Sequence, residues 1–236
     1  MRLNHFYNFM QILCYCSGLL VIFSMCVQAV VADEVDWQEI SRDKKIVVSR
    51  KSVAGSNIFA FRGEGIVDAP ISKVVSVVRD VERAGEWLDR VVEIRKIEQV
   101  NPVTRSEYYH VSVPWPFSNR DFVYETTITV DKEKRTAIFL SHSVEKYNVP
   151  VCDGCVRGNI FLSKLILTAL PEQNRTNFIG EVHVDPKGAI PSWLVNLVQK
   201  DWPSNTYENI SSQLKKPDIS DDPLVKDLDK PTPRID

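Results

Sequence analysis

The chain is 236 residues long, 44% hydrophobic and 25% charged, with a formal net charge of −2. That length holds one domain of about 180 residues with extensions rather than two full cores. No segment concentrates lysine or arginine, and without a basic stripe to neutralise phosphates a nucleic-acid partner is excluded.

The first organised segment is N-terminal. Arg2 is followed by no Lys, Arg, Asp or Glu until Asp33, and ILCYCSGLLVIFSMCV lies between them. The triplets VQA and VVA, ending at Ala29 and Ala32, put small residues where a signal peptidase cuts. Residues 1–32 are therefore expected to be a secretory signal peptide. An uncleaved anchor is the competing reading, because the apolar run is nearly long enough to span a bilayer. Met25 before Cys26 argues against a lipoprotein site, which needs a small residue there. Removing this segment takes away Arg2 and three cysteines, leaving 28 basic and 31 acidic residues, a net charge of −3, with only Cys152 and Cys155. An exported protein, periplasmic or secreted, with C-x-x-C spacing is expected to be oxidised.

Asp36 to Ser41 reads as the opening of a short helix, and IVVSRKSV and NIFAFRGEGIVD read as strands separated at Ala54-Gly55-Ser56. Asp68-Ala69-Pro70 opens a helix whose residues Ile71, Val74, Val75 and Val78 share one face, and Ala84 to Leu88 is a second short helix. From Val91 the period becomes two. Segments 91–100, 107–113, 122–130, 136–143, 156–170 and 176–185 read as strands joined by short polar turns, which makes an antiparallel meander. PSWLVNLVQKDWPSNTYENISSQL then carries helical spacing for more than 20 residues, with Trp202-Pro203 as an interior interruption. Beyond residue 215 the chain is rich in proline and aspartate, so residues 216–236 are expected to be disordered. The fold class is α+β: a curved antiparallel sheet closed by one long C-terminal helix. One helix cannot fill the concave side of such a sheet, and the remainder is a tunnel.

PWPFSNRDFVY, Pro114 to Tyr124, resembles the signature of START domains, the lipid-transfer domains related to steroidogenic acute regulatory protein. Asp80 with Trp87, Val156-Arg157 and VHVDPKGAIPSWLVN match further family motifs in the same order, with Lys187 in place of a glycine. The likeness covers residues 37–214. It implies a helix-grip fold over residues 33–215 that binds a single lipid, of sterol or phospholipid class, in an internal tunnel. It also implies a monomer without cofactor or catalysis, in transient contact with membranes. The alternative from the wider superfamily is a cyclase- or hydrolase-like enzyme acting on a hydrophobic substrate, which needs at least two positioned acid–base groups.

Strand parity selects the wall residues. Glu107, Tyr109, Val111 and Val113 form the more apolar face of their strand, and Phe122, Tyr124, Thr126 and Ile128 that of the next. A carboxylate at Glu107 must be neutral, paired or hydrogen-bonded. Thr126 stands where some sterol-binding relatives carry arginine, so their acid–base pair is incomplete here. On the last strand Gly180 and Val182 face inward, Gly180 leaving room where relatives have an aromatic, and His183 faces solvent. Arg120 is a candidate ligand contact, with a structural role locking the Pro114–Asn119 turn as the favoured competitor. Trp193, Leu197 and Tyr207 are candidate lining residues of the last helix, or simply part of the core. Cys152 and Cys155 lie in the loop the family places over the tunnel mouth. Zinc needs about four ligands and no second pair is near in sequence, so a disulfide is expected, stiffening the gate. Its four-residue ring contributes roughly 2 kcal/mol.

Overall fold

A computed structural model describes residues 37–43 and 45–230. The signal-peptide reading of residues 1–32 and the last six residues lie outside the described residues.

Among the described residues ten strands form one sheet: β1 (Gln38–Arg42), β2 (Ile46–Lys51), β3 (Ala60–Val67), β4 (Val91–Asn101), β5 (Thr104–Val111), β6 (Arg120–Asp131), β7 (Thr136–Ser143), β8 (Val156–Arg157), β9 (Asn159–Leu170) and β10 (Arg175–Asp185). The spatial order is β1-β2-β3-β10-β9-β7-β6-β5-β4, and β8 pairs with β6 in parallel. The expected helix at Asp36–Ser41 is instead edge strand β1, paired with β2 from Gln38 to Arg50. The strand read as 156–170 breaks at Gly158, because Phe122 packs where a side chain would stand: an added Cβ would meet its ring at 2.3 Å.

The curvature has a local cause. Along the eleven residues of β4 the register to β5 slips three times, between Val91 and Glu93, Lys96 and Glu98, and Gln99 and Asn101. Each extra residue bends its strand and increases the twist. A further slip opposite His183 and Val184 leaves Phe161 as an extra residue and bends β9 against β10.

Helix α1 (Ile71–Arg79) buries Ile71, Val74 and Val75 in the core with Val67, Leu167 and Phe178, as its spacing predicts; Val78 of the same stripe is partly buried, and Val77, off the stripe, is buried too. The C-terminal segment is two helices rather than one kinked helix: α2 (Ser192–Gln199) and α3 (Trp202–Gln213). Pro203 lies in the first turn of α3, not in an interior. Proline has no N–H to bond the Gln199 carbonyl four residues back, and the first turn is where that loss is harmless. Helix α3 crosses β3 at Gly63 and Gly65; at Gly65 a Cβ would sit 2.5 Å from the Lys45 carbonyl and 3.1 Å from the Tyr207 ring. The Tyr207 hydroxyl donates to the Ile66 carbonyl at 2.6 Å, and its ring meets Phe178 edge-on.

Residues 216–230 correct the expectation of disorder. They fold back over α1, burying Val225 and Leu228 in the same core. Asp229 accepts the Ile71 and Ser72 N–H groups at 2.9 and 3.2 Å, capping a helix start that has no side-chain cap of its own. Asp222 takes both bonds of Arg79 Nη1 at 2.8 Å. Low apolar content hid the docking because two buried apolar side chains and two aspartates, Asp222 and Asp229, suffice. Ending the chain at residue 215 is expected to cost about 2–4 kcal/mol, from two buried apolar side chains and a lost cap less the entropy regained. Urea unfolding measures it; an unchanged midpoint would show the docking to be idle.

Candidate functional site

Between the concave sheet face and helices α2 and α3 lies a cavity of about 600 Å³. Its wall is mostly apolar, with Val78, Leu88, Ile94, Leu165, Leu194 and Ile210 among the lining side chains. Parity places Glu107, Tyr109 and Val111 of β5, Arg120, Phe122, Tyr124 and Thr126 of β6, and Val182 of β10 in this wall, as expected.

Four expected lining residues lie elsewhere. Trp193 is 68% exposed and Leu197 about half exposed, on the outer face of α2; Leu194, Val195 and Val198 of that helix line the cavity instead. Tyr207 belongs to the core, held by Phe178 and the Ile66 carbonyl. Gly180 opens no room for a guest, because Phe178 and Trp202 fill the space: a Cβ would meet them at 3.2 and 3.6 Å.

The polar part of the wall centres on Glu107, which is 2% exposed. Its Oε1 lies 3.0 Å from Arg105 Nε, in ion-pair contact but outside hydrogen-bond alignment. Its Oε2 accepts from Thr126 Oγ1 at 3.0 Å, and since that proton is spent, Ser141 Oγ at 2.8 Å must donate to Thr126. The acid–base pair that lacks an arginine at Thr126 is thus completed by Arg105. The two-residue spacing puts Arg105 on the same strand face as Glu107, so parity alone could have found it. Arg105 Nη1 and Nη2 donate to the Arg79 and Val78 carbonyls, orphan acceptors at the C-terminus of α1. Burial, then the Glu107 charge, pushes the Tyr124 hydroxyl well above its ordinary range, so Tyr124 stays a neutral donor. Burial likewise raises Tyr109, whose hydroxyl donates to the Asp89 carbonyl at 3.1 Å. Trp87 Nε1 and Gln199 Oε1, on two further lining residues, are buried without a protein partner.

Arg120 and Asp121 anchor the PWPFSNRDFVY segment on both sides of the sheet. Neighbours on a strand, they face opposite sides of the sheet. Arg120 donates to the Pro186 and Lys187 carbonyls at 3.0 and 2.9 Å and to the Ser118 carbonyl, tying the start of β6 to the segment that leads into α2. Asp121, fully buried, accepts Arg157 Nε at 2.8 Å, Arg157 Nη2 at 3.0 Å and the Cys152 N–H at 3.1 Å. Burial raises its carboxyl, but the Arg157 and Cys152 bonds outweigh it and hold the group below the ordinary carboxylate range.

Cys152 and Cys155 are bonded, their Cα atoms 5.2 Å apart. Their loop does not gate the mouth as expected: no residue from 150 to 155 lines the cavity, and the loop packs behind it through Asp121 and His110. His183 is also displaced from its expected place in solvent. It is buried, stacked on Phe161 at 4.8 Å, and burial lowers its pKa.

A bent antiparallel sheet gripping C-terminal helices around an apolar chamber defines a helix-grip container for a hydrophobic guest. The chain belongs to the START domain family, whose model matches residues 25–206. An uncharacterised protein of Pseudomonas aeruginosa is 25% identical over 77% of this chain and 88% of its own. Mouse phosphatidylcholine transfer protein is 25% identical over 74% of this chain and 82% of its own length. A crystal structure of a STAR-related lipid transfer protein fragment from Xanthomonas axonopodis superposes with a TM-score of 0.68 at 28% identity, covering 77% of this chain and 99% of the fragment.

Proposed function

We propose that the protein holds one lipid, of sterol or phospholipid class, and carries it through an aqueous compartment without covalent chemistry. The observation that carries the reading is the 600 Å³ apolar cavity with one ion pair, Arg105–Glu107, buried in its wall. That size falls within the range of ligand sites, about 300–1,000 Å³. Burying ~500 Å² of lipid surface contributes on the order of 12 kcal/mol before ordering costs. A polar head group set against Arg105 and Glu107 gives both charges further partners, which supports a lipid with a zwitterionic or hydroxyl head over a plain hydrocarbon. The similar mouse protein is named for phosphatidylcholine, which agrees with this chemistry. Among the described lining residues Glu107 is the one carboxylate, and Thr126 and Arg105 already engage it, which favours a binding role over acid–base work.

Trp115, 92% exposed, stands with Trp193, Leu197 and Val198 as exposed apolar side chains of the β5–β6 segment and α2, and Trp115 and Val198 also line the cavity. This supports transient membrane contact at that end during loading and release, by a monomer. The expected signal peptide or anchor supports action outside the cytoplasm.

Lipid extraction and mass spectrometry of protein purified from its native host test the reading. One lipid of either class per chain is expected, and Ser163→Phe, which fills the cavity, should reduce occupancy at least tenfold without changing the unfolding midpoint. A chain that emerges empty and takes no lipid from vesicles refutes it.

A further inference from the structure

Sequence spacing offers a C-x-x-C pair and no partner for it; the fold supplies one. His110, on the outer face of β5, brings Nε2 to 3.5 Å from Cys155 Sγ. The ligand atoms of His110, Cys152 and Cys155 all lie within 4.8 Å of one another, on partly buried residues. Bond lengths of about 2.3 Å to sulfur and 2.0–2.1 Å to nitrogen set ligand atoms about 3.6 to 3.8 Å apart around a tetrahedral ion. The His110–Cys155 separation already has that edge length.

The histidine is held in the right form. Asn119 Oδ1 accepts the Val113 N–H at 3.1 Å, which fixes the amide so that Nδ2 faces His110 Nε2, also at 3.1 Å. An amide nitrogen only donates, so Nε2 carries a lone pair and the ring proton sits on Nδ1. The loop is anchored independently of the sulfurs, by the Cys152 N–H to Asp121 and by the Cys155 N–H to the Cys152 carbonyl. Opening the disulfide therefore leaves both side chains beside the imidazole.

We propose that Cys152, Cys155 and His110 form a three-ligand site for a thiophilic divalent cation such as zinc, which the reduced protein fills and the disulfide closes. A dithiol reductant supplies two electrons and two protons to the disulfide and leaves as its own disulfide. The ion then replaces both thiol protons, which pass to solvent, and takes the Nε2 lone pair in place of the Asn119 amide N–H, which turns to solvent, with no further proton change. Two thiolates balance the dication, and a solvent molecule completes the tetrahedron. The site is separate from the cavity, since none of its residues is in the lining.

The test uses the full chain with Cys14, Cys16 and Cys26 replaced by serine, so that the only thiols are Cys152 and Cys155. It is reduced with dithiothreitol, freed of it without air, and titrated with cobalt(II). One ion per chain is expected, with thiolate-to-metal absorption, displacement by zinc and both thiols shielded from a thiol reagent. His110→Ala and His110→Gln should each weaken binding at least tenfold, while His142→Ala, at an exposed position, should leave it unchanged. The oxidised form should take no ion. Unfolding of the oxidised His110 variants at the parent's midpoint separates a lost ligand from a lost fold. Cobalt affinity in the parent no higher than in Cys152→Ser/Cys155→Ser, or unchanged in both His110 variants, overturns the proposal.

Discussion

Replacing Asp121 with alanine is expected to destabilise the domain by about 3 kcal/mol, among the larger effects of any single substitution. The carboxylate is fully buried and takes two bonds from Arg157 and one from the Cys152 N–H. Without it, Arg157 keeps the Val149 and Pro150 carbonyls but no counter-charge. The guanidinium is partly open to water, which places the cost at the low end of values for broken buried pairs. Asp121→Asn retains an acceptor for the Cys152 N–H and should cost less. Urea unfolding orders the three proteins, and hydrogen exchange should show residues 150–157 opening first in the alanine variant. Because the folded carboxyl lies below its ordinary value, its stabilisation is complete above the unfolded pKa of about 3.9 and is lost as pH falls through the lower folded value. Wild type should therefore lose stability below about pH 4 more steeply than Asp121→Asn. Parallel acid profiles would place the stabilisation elsewhere.

The second large effect lies at the ion pair in the cavity. Glu107→Ala leaves the Arg105 guanidinium beside an apolar chamber, with the α1 carbonyls as its partners and no opposing charge. A loss of about 3 kcal/mol is expected. The double variant Arg105→Met, Glu107→Leu should recover stability to near wild type, because two charges and their desolvation leave together. Binding should not recover. A charge-assisted bond to a head group is worth about 1.5–3 kcal/mol, so preference between lipids sharing chains but differing in head should fall by roughly ten- to a hundredfold. Retained preference in a stable double variant would reduce the pair to a structural role. The comparison works because stability recovers in the double variant while selectivity does not.

Much of this was readable along the chain wherever the controlling interaction is local. Period-two alternation identified the inward faces of β5 and β6, and the strand read at 136–143 matches β7. The apolar stripe of α1 packs as its spacing requires. Errors fell where residue type was compatible with two environments. Helix α2 has apolar side chains on more than one face, so composition could not say that Leu194 and Val195 turn inward while Trp193 and Leu197 face out. Its docking is constrained by the Arg120 bonds to the Pro186 and Lys187 carbonyls just upstream, partners 66 and 67 residues away. The Asp-rich tail reads as solvated because its aspartates have no partners near in sequence, yet Asp222 and Asp229 close on an arginine and a helix start 143 and 158 residues earlier.

By itself the sequence determined the class of fold, the alternation that makes one sheet face greasy, and the presence of a carboxylate on that face. Those features follow from backbone geometry acting over a few residues. Only the tertiary structure decided what the polar groups meet: Arg105 for Glu107, Arg157 for Asp121, and His110 for the cysteines. A buried charge or lone pair must find a partner wherever the chain brings one near, and strand order and register, not sequence neighbours, set that choice.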